Sequence, residues 1–362
     1  MAQRYVAIGL MSGTSMDGID AALITTDGER VQAYGEALSQ PYPTAPRERL
    51  RAILGGVGDT AAVSREITMA HARIVKSLLE KALLSASDID VIGFHGHTIL
   101  HRPQDRRTWQ IGEGPLLAQL TGIDVVSDFR QADVAAGGEG APFAPLYHAA
   151  LAADLDKPLA VLNLGGVGNV TWIGADDSLL AFDTGPGNAL IDDWMRRQSL
   201  GEMDVDGATA AAAQPAPEVL ATLLDNPYFD RPPPKSLDRD DFDLLPLRGL
   251  DAAVGAATLV AFTVEAVAQA RAHFPAPVGR WLVCGGGRHN GTMMRRLADA
   301  LAVPVEPVEA VDWQGDVLEA QAFAFLAVRS LCGLPLSLPG TTGVPAPQTG
   351  GTVSPAPQRA QA

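Results

Sequence analysis

Two short apolar runs, residues 6–10 and 19–24, flank a turn of Ser12, Gly13, Thr14, Ser15, Met16, Asp17 and Gly18. Strand-length runs around an Asp-Gly turn predict a β-hairpin. Small and hydroxyl-bearing residues at its tip let backbone N–H groups approach an anion, and the hydroxyls add donors. An ordinary Gly-rich turn has the same composition, so the residues alone leave both readings open. The turn lacks Lys and the GxxxxGK[ST] pattern, so it is not a Walker loop. The arrangement returns about 150 residues later as an apolar run at 159–164, a turn at 165–169 and a return run at 170–173. This predicts an internal duplication, with only slight residue identity between the copies.

A chain of 362 residues is long for one core, so two domains are expected. It is 47% hydrophobic and 19% charged, with 37 Gly and 26 Pro, which fits a turn-rich globular α/β protein. A net charge of −15 argues against a broad nucleic-acid or anionic-membrane surface. An anion site here must be built locally. Cys284 and Cys332 have no CxxC or zinc-spaced His partner, and are expected as buried thiols in a reducing compartment. With no basic leader and no uncharged apolar run of ~18 residues, a cytoplasmic protein is expected.

Along the chain, 34–46 reads as a connection and 60–84 as an amphipathic helix. A strand at 89–94 leads into His95-Gly96-His97-Thr98, where hydrogen bonding is favoured over metal ligation. A strand at 125–126 ends in Asp128-Phe129-Arg130. Arg130 is either an anion clamp or the partner of Asp128 or Asp133. Residues 137–142 form a turn and a plausible hinge. A strand at 179–182 ends in Asp183-Thr184-Gly185-Pro186-Gly187-Asn188, and a helix follows at 189–197. The Asp- and Pro-rich stretch 202–248 reads as a surface excursion, and 250–274 as a buried helix. A strand at 280–284 runs into Gly285, Gly286 and Gly287, then a helix at 291–301, a layout that admits a nucleotide. Glu319 lies in the apolar helix 317–331, where burial would demand a partner. The tail from 341 reads as loop and then disorder.

Glycine turns after strands and a carboxylate opening a Gly/Pro turn are the parts phosphoryl transfer needs. They favour an ATP-dependent kinase or ATPase. A sugar- or peptide-binding module and a two-carboxylate hydrolase are the alternatives. Asp183 could equally cap the helix that follows it.

Eight segments carry a more specific signal. They are MSGTSMDGIDAAL at 11–23, FHGHTILHRP at 94–103, WQIGEG at 109–114, DFRQADVAAGGEGAP at 128–142, NLGGVGNVT at 163–171, FDTGPGNALIDDW at 182–194, CGGGRHN at 284–290 and LPLSLPGTTGVP at 334–345. In this order they resemble the anhydro-N-acetylmuramic acid kinases over all but about the last dozen residues. The resemblance implies an α/β, duplicated ribonuclease-H-like (actin-like ATPase) fold, two domains around a central cleft. Residues 1–130 would form the first domain, with 335–353 returning to it. Residues 131–334 would form the second, and 354–362 a disordered tail. It implies an enzyme using ATP and Mg²⁺, with no metal held by direct protein ligation, that opens 1,6-anhydro-N-acetylmuramic acid with water and phosphorylates O6. A homodimer is also implied, while the charge and hydropathy set out above lead to the expectation of no nucleic-acid or membrane partner. By resemblance, Asp183 is the general base. Gly13, Thr14, Ser15, Met16, Asp17, Gly18, Ile19, Asp20, Gly165, Gly166, Gly285, Gly286 and Gly287 hold ATP, with Asp17 and Asp20 toward Mg²⁺ through water. His97, Pro103, Gln110, Arg130, Asn188 and Glu319 meet the sugar. Trp109 stands where a smaller apolar residue is more usual, which would reshape the sugar-side wall.

Overall fold

The computed structural model describes residues 3–13, 16–237 and 241–357. Thr14, Ser15 and the last five residues of the expected tail lie outside them. The strands, in chain order, are β1 Tyr5–Ser12, β2 Gly18–Thr26, β3 Val31–Pro41, β4 Val91–Arg102, β5 Arg107–Ile111, β6 Val125–Ser127, β7 Leu159–Leu164, β8 Val167–Ile173, β9 Leu179–Pro186, β10 Trp281–Cys284, β11 Val305–Pro307 and β12 Thr352–Ser354. The chain divides into two compact units, Met1–Ala153 with Val317–Ala362, and Asp154–Asp316.

In the first unit the sheet order is β3-β2-β1-β4-β6-β12, with β5 paired to β4. β1, β2 and β3 are antiparallel neighbours, whereas β4 runs parallel to β1 and β6 parallel to β4. The second unit repeats the plan as β9-β8-β7-β10-β11, with an antiparallel β7-β8-β9 meander and parallel β10 and β11. Each unit thus has a three-strand meander with two parallel strands added on its first strand. The chain is a duplicated ribonuclease-H-like α/β fold.

Close packing fixes the first unit. Gly9 and Gly93 are register partners on β1 and β4, and helix Leu318–Leu331 lies directly on them. A Cβ at Gly9 would fall 1.7 Å from the Ala320 carbonyl oxygen, and one at Gly93 2.0 Å from that of Phe323. Ala320, Ala324 and Ala327 on that helix are fully buried, so small residues face glycines. Helix Thr60–Ala82 contributes Ile74, Val75 and Leu78 to a core with Ile8, Leu10, Ile92 and Phe94. Asp59 caps it, accepting from the Ala62 N–H at 3.0 Å.

The second unit is built on helix Ala252–Ala270, capped by Asp251 and buried along most of its length. Gly255 is required there because a Cβ would meet the Trp194 ring at 2.2 Å. The span Ala252–His273 is apolar and long enough to cross a membrane, yet it packs among Trp194, Phe182 and Trp281.

Several expectations change. The stretch at 34–46 is no simple connection, since β3 runs through it to Pro41. It is a largely exposed edge strand held to β2 by backbone pairing, so it carries no apolar alternation. β4 does not stop at Phe94. Past His97 it leaves the sheet as a ribbon with β5. The tail is ordered through β12, which pairs with β6. The stretch 202–248 is not only a surface excursion, because Ala210, Leu223, Tyr228, Phe242 and Leu247 enter the core. Glu319 and Cys332 are exposed rather than buried. The unit division also falls elsewhere than at 130 and 334. Asp133 accepts hydrogen bonds from Ser337 and Thr342, and Tyr147 donates to Gln321 at 3.0 Å. These contacts tie 131–153 and 317–334 to the first unit.

Candidate active site

The first unit offers the β1–β2 turn. Met16 has a left-handed backbone (φ 54°), and its N–H donates to the Gly13 carbonyl at 3.0 Å. Its side chain is buried among Leu50, Ile53, Val63 and Ile67, which anchors the tip from below. Asp17 is exposed, and its Oδ1 accepts from the Gly18 N–H at 2.9 Å. Gly18 is demanded by β3, because a Cβ there would lie 2.5 Å from the Gln40 carbonyl oxygen. Ile19 is a core residue, and Asp20 accepts from the Ser39 hydroxyl. At the end of β1, Ser12 Oγ lies 2.9 Å from both the Tyr42 hydroxyl and His97 Nδ1. Burial, reinforced by Asp17 and Asp20, pushes the Tyr42 phenol up to about 12, so it stays protonated and neutral.

The ribbon of β4 and β5 carries three of the expected sugar residues. His97 is fully buried, and burial followed by the neighbouring His71 lowers its pKa to about 4. Its Nε2 has no hydrogen-bond partner among the described residues. Gln110 Nε2 donates to Thr98 and Thr108, while its buried Oε1 has no partner among the described residues. Pro103 begins the turn joining the two strands, half-buried. Arg130 reaches across to β4 and to the turn at 137–142. Its Nε donates to His95 Nε2 at 3.0 Å and its Nη1 to the Gly140 carbonyl at 2.6 Å, with the guanidinium over Phe143 and Phe323. His95 therefore carries its proton on Nδ1, which donates to the Gly96 carbonyl. Burial and then Arg130 hold its pKa well below the usual range. Both histidines of the His95-Gly96-His97 motif are hydrogen-bonding groups. Glu319 opens the last long helix from an exposed position, and Trp109 is exposed on β5.

The second unit places Asp183 near the end of β9, 6% exposed. Its N–H donates to the Lys235 carbonyl at 3.0 Å, and its carbonyl accepts from the Tyr228 hydroxyl at 2.6 Å. Its Oδ2 accepts from the Leu237 N–H at 2.8 Å. The carboxylate is thus held by a segment about 50 residues downstream, and does not cap the helix at 189–197. Lys235 is 2% exposed, and burial followed by Arg231 lowers its pKa to about 8.

Three backbone turns meet beyond β7 and β10. The Gly165 carbonyl accepts from the Asn188 N–H at 2.8 Å, and the Gly166 carbonyl from the Gly187 N–H at 2.9 Å. Asn188 Nδ2 also donates to the Leu164 and Gly165 carbonyls. Gly285 (φ 75°) and Gly287 pack on Asn163 and Leu164 so closely that a Cβ on either would clash. Arg288, 7% exposed, braces this turn through Gly285, Glu309 and Asp316.

Tyr42, Tyr228, Lys235 and Arg288 were not singled out from sequence. Lys235 had a readable signal, being a cation set directly after three prolines and shortly before Leu237. The others act through partners distant in the chain.

A sequence profile described as anhydro-N-acetylmuramic acid kinase matches residues 3–356. A protein of that name from Paramagnetospirillum magneticum is 58% identical over 346 residues, 95% of this chain and 98% of that protein. One from Rhodospirillum rubrum is 58% identical over 347 residues, 94% of this chain and 92% of that protein. Among solved structures, a gluconate kinase from Lactobacillus acidophilus aligns over 91% of this chain and 90% of its own, at 11% identity and a TM-score of 0.47. On the full-length profile match and these identities, the chain belongs to the anhydro-N-acetylmuramic acid kinase family, and ATP-dependent phosphoryl transfer is its class of reaction.

Proposed function

We propose that this protein hydrolyses the 1,6-anhydro bridge of 1,6-anhydro-N-acetylmuramic acid and transfers the γ-phosphoryl group of ATP to the released O6. The products are N-acetylmuramic acid 6-phosphate and ADP, in cytoplasmic recycling of cell-wall sugars, with a homodimer as the working form. The supporting observation is the Asp183 carboxylate, buried and held at its backbone on both sides and at Oδ2 by the Leu237 N–H. A fixed carboxylate suits a general base.

In this reading Asp183 takes a proton from water as the water oxygen bonds to C1. The C1–O6 bond breaks, O6 attacks the γ-phosphorus, and ADP leaves. A glycosidase would need a second carboxyl group as acid. Here the phosphoryl group accepts the departing oxygen instead. The phosphates are assigned to the turn of Gly13, Thr14, Ser15, Met16, Asp17, Gly18, Ile19 and Asp20 and to Gly165, Gly166 and Gly285–Gly287. Mg²⁺ arrives with ATP as part of the substrate, and Asp17 and Asp20, carboxylates at the hairpin, would face its water shell. His97, Pro103, Gln110, Arg130, Asn188 and Glu319 are assigned to the sugar. His97 Nε2 and Gln110 Oε1, without partners among the described residues, favour that assignment, since buried polar atoms require partners.

The test is purified protein with ATP, Mg²⁺ and the anhydro sugar in ¹⁸O water. ADP and a 6-phosphosugar labelled at C1 are expected. Absence of ADP above background, or a product unlabelled at C1, overturns the reading.

A further inference from the structure

We infer that Lys235 is a positioning residue for Asp183, its ammonium tying the segment 228–237 into a clasp around that carboxylate. The segment meets Asp183 at the Tyr228 hydroxyl, the Lys235 carbonyl and the Leu237 N–H. It therefore leaves from Asp183 and returns to it. Lys235 Nζ joins the two ends, donating to the Tyr228 carbonyl at 2.9 Å and the Phe229 carbonyl at 3.2 Å. It also lies 4.5 Å from the Tyr228 ring centroid and 6.0 Å from that of Phe182, the residue before Asp183. Two carbonyls and two ring faces compensate the burial of one ammonium. Its charge faces Arg231 and His273, which oppose it, and Asp230, which favours it. Loss of the ammonium leaves the segment's two carbonyls unbridged. The segment that presents the Leu237 N–H to Asp183 Oδ2 then keeps its own contacts with Asp183 but loses the bridge between its two ends.

The structural part of this inference stands on geometry, and its kinetic part rests on the function proposed above. The test uses the full chain as Lys235→Met and Lys235→Arg. Amide exchange at Leu237 should quicken by about tenfold in Lys235→Met while distant core amides keep their protection. A displaced base should lower kcat by about 100-fold with the KM for ATP little changed, and Lys235→Arg should recover part of the loss. Wild-type kcat should fall as pH rises through about 8, and that limb should vanish in Lys235→Met. A folded Lys235→Met with wild-type Leu237 protection and kcat within about twofold overturns the clasp. So does an unchanged alkaline limb. Should Lys235→Met fail to fold, the wild type decides. Leu237 protection, corrected for base catalysis, should drop on passing pH 8 to 9.5, and constant protection overturns the inference. Should the wild type not turn over the sugar, the proposed function fails, and the exchange measurement still judges the clasp.

Discussion

A residue's role here is set by partners that its neighbours in sequence do not reveal. Asp183 opens a Gly/Pro turn, and by sequence it could have been a helix cap. Its oxygen instead accepts from Leu237, and its backbone is held by Tyr228 and Lys235. Asp183→Asn preserves shape and can still accept the Leu237 hydrogen bond through its amide oxygen, but it removes the basic oxygen. kcat should fall by about 10³-fold with ATP affinity retained, measured by ADP release and nucleotide titration. A fall in ATP affinity without loss of kcat would mean that Asp183 serves binding rather than proton transfer. Tyr42 illustrates the same point from the other unit. Its hydroxyl meets Ser12, which also meets His97. Tyr42→Phe leaves the Ser12–His97 contact intact, so it should cost only about 1 kcal/mol in urea unfolding.

At the scale of elements, glycine turns combine two causes that a motif cannot separate. Gly285 and Gly287 are explained by packing, since a Cβ on either would strike Asn163 or Leu164. Gly286 is not, because its nearest neighbour would be Asn188 Nδ2 at 3.9 Å and its φ is ordinary. Gly286→Ala should therefore change stability by no more than about 0.5 kcal/mol. If this turn approaches phosphate, the same change should raise the KM for ATP severalfold, read in the ADP assay. Gly93→Ala is the opposite case. Its Cβ would fall 2.0 Å from the Phe323 carbonyl oxygen, so the helix must move, at about 3 kcal/mol by urea unfolding. These elements also show what was legible in the sequence. The hairpin, the amphipathic helix Thr60–Ala82 and the helix Ala189–Arg197 carry periodicity or turn chemistry, and they were readable. β3 was not, because an exposed edge strand needs backbone partners and no apolar alternation. The Gly9–Gly93 seat for helix Leu318–Leu331 was not, because its two sides lie hundreds of residues apart. The Asp183 residue was readable through its motif, but the segment that holds it was hidden in a stretch rich in Asp and Pro.

At the scale of the whole molecule, the duplication is a duplication of topology and not of side-chain chemistry. Both sheets share one strand order, yet buried histidines differ sharply between the units. His71, His95, His97 and His148 are all buried in the first unit, whereas His273 and His289, in the second, are not. Burial lowers His71 and His97 to about 4 and His148 to about 3. An unfolded histidine titrates near 6.5, so between that pH and about 4 the unfolded chain binds more protons than the folded one. Stability must then rise with pH across this window and fall as pH is lowered through it. By pH 5, His71 and His97 should each have cost about 2 kcal/mol. The loss belongs to the first unit. Hydrogen exchange followed by mass spectrometry from pH 7 to pH 5 should show β1, β4 and helix Leu318–Leu331 opening before β7, β10 and helix Ala252–Ala270. Replacing His71 with Gln, which cannot titrate, should narrow that gap at pH 5 even where it lowers stability at pH 7. Simultaneous opening of both units, or a gap insensitive to His71→Gln, would place the acid sensitivity elsewhere than in these histidines.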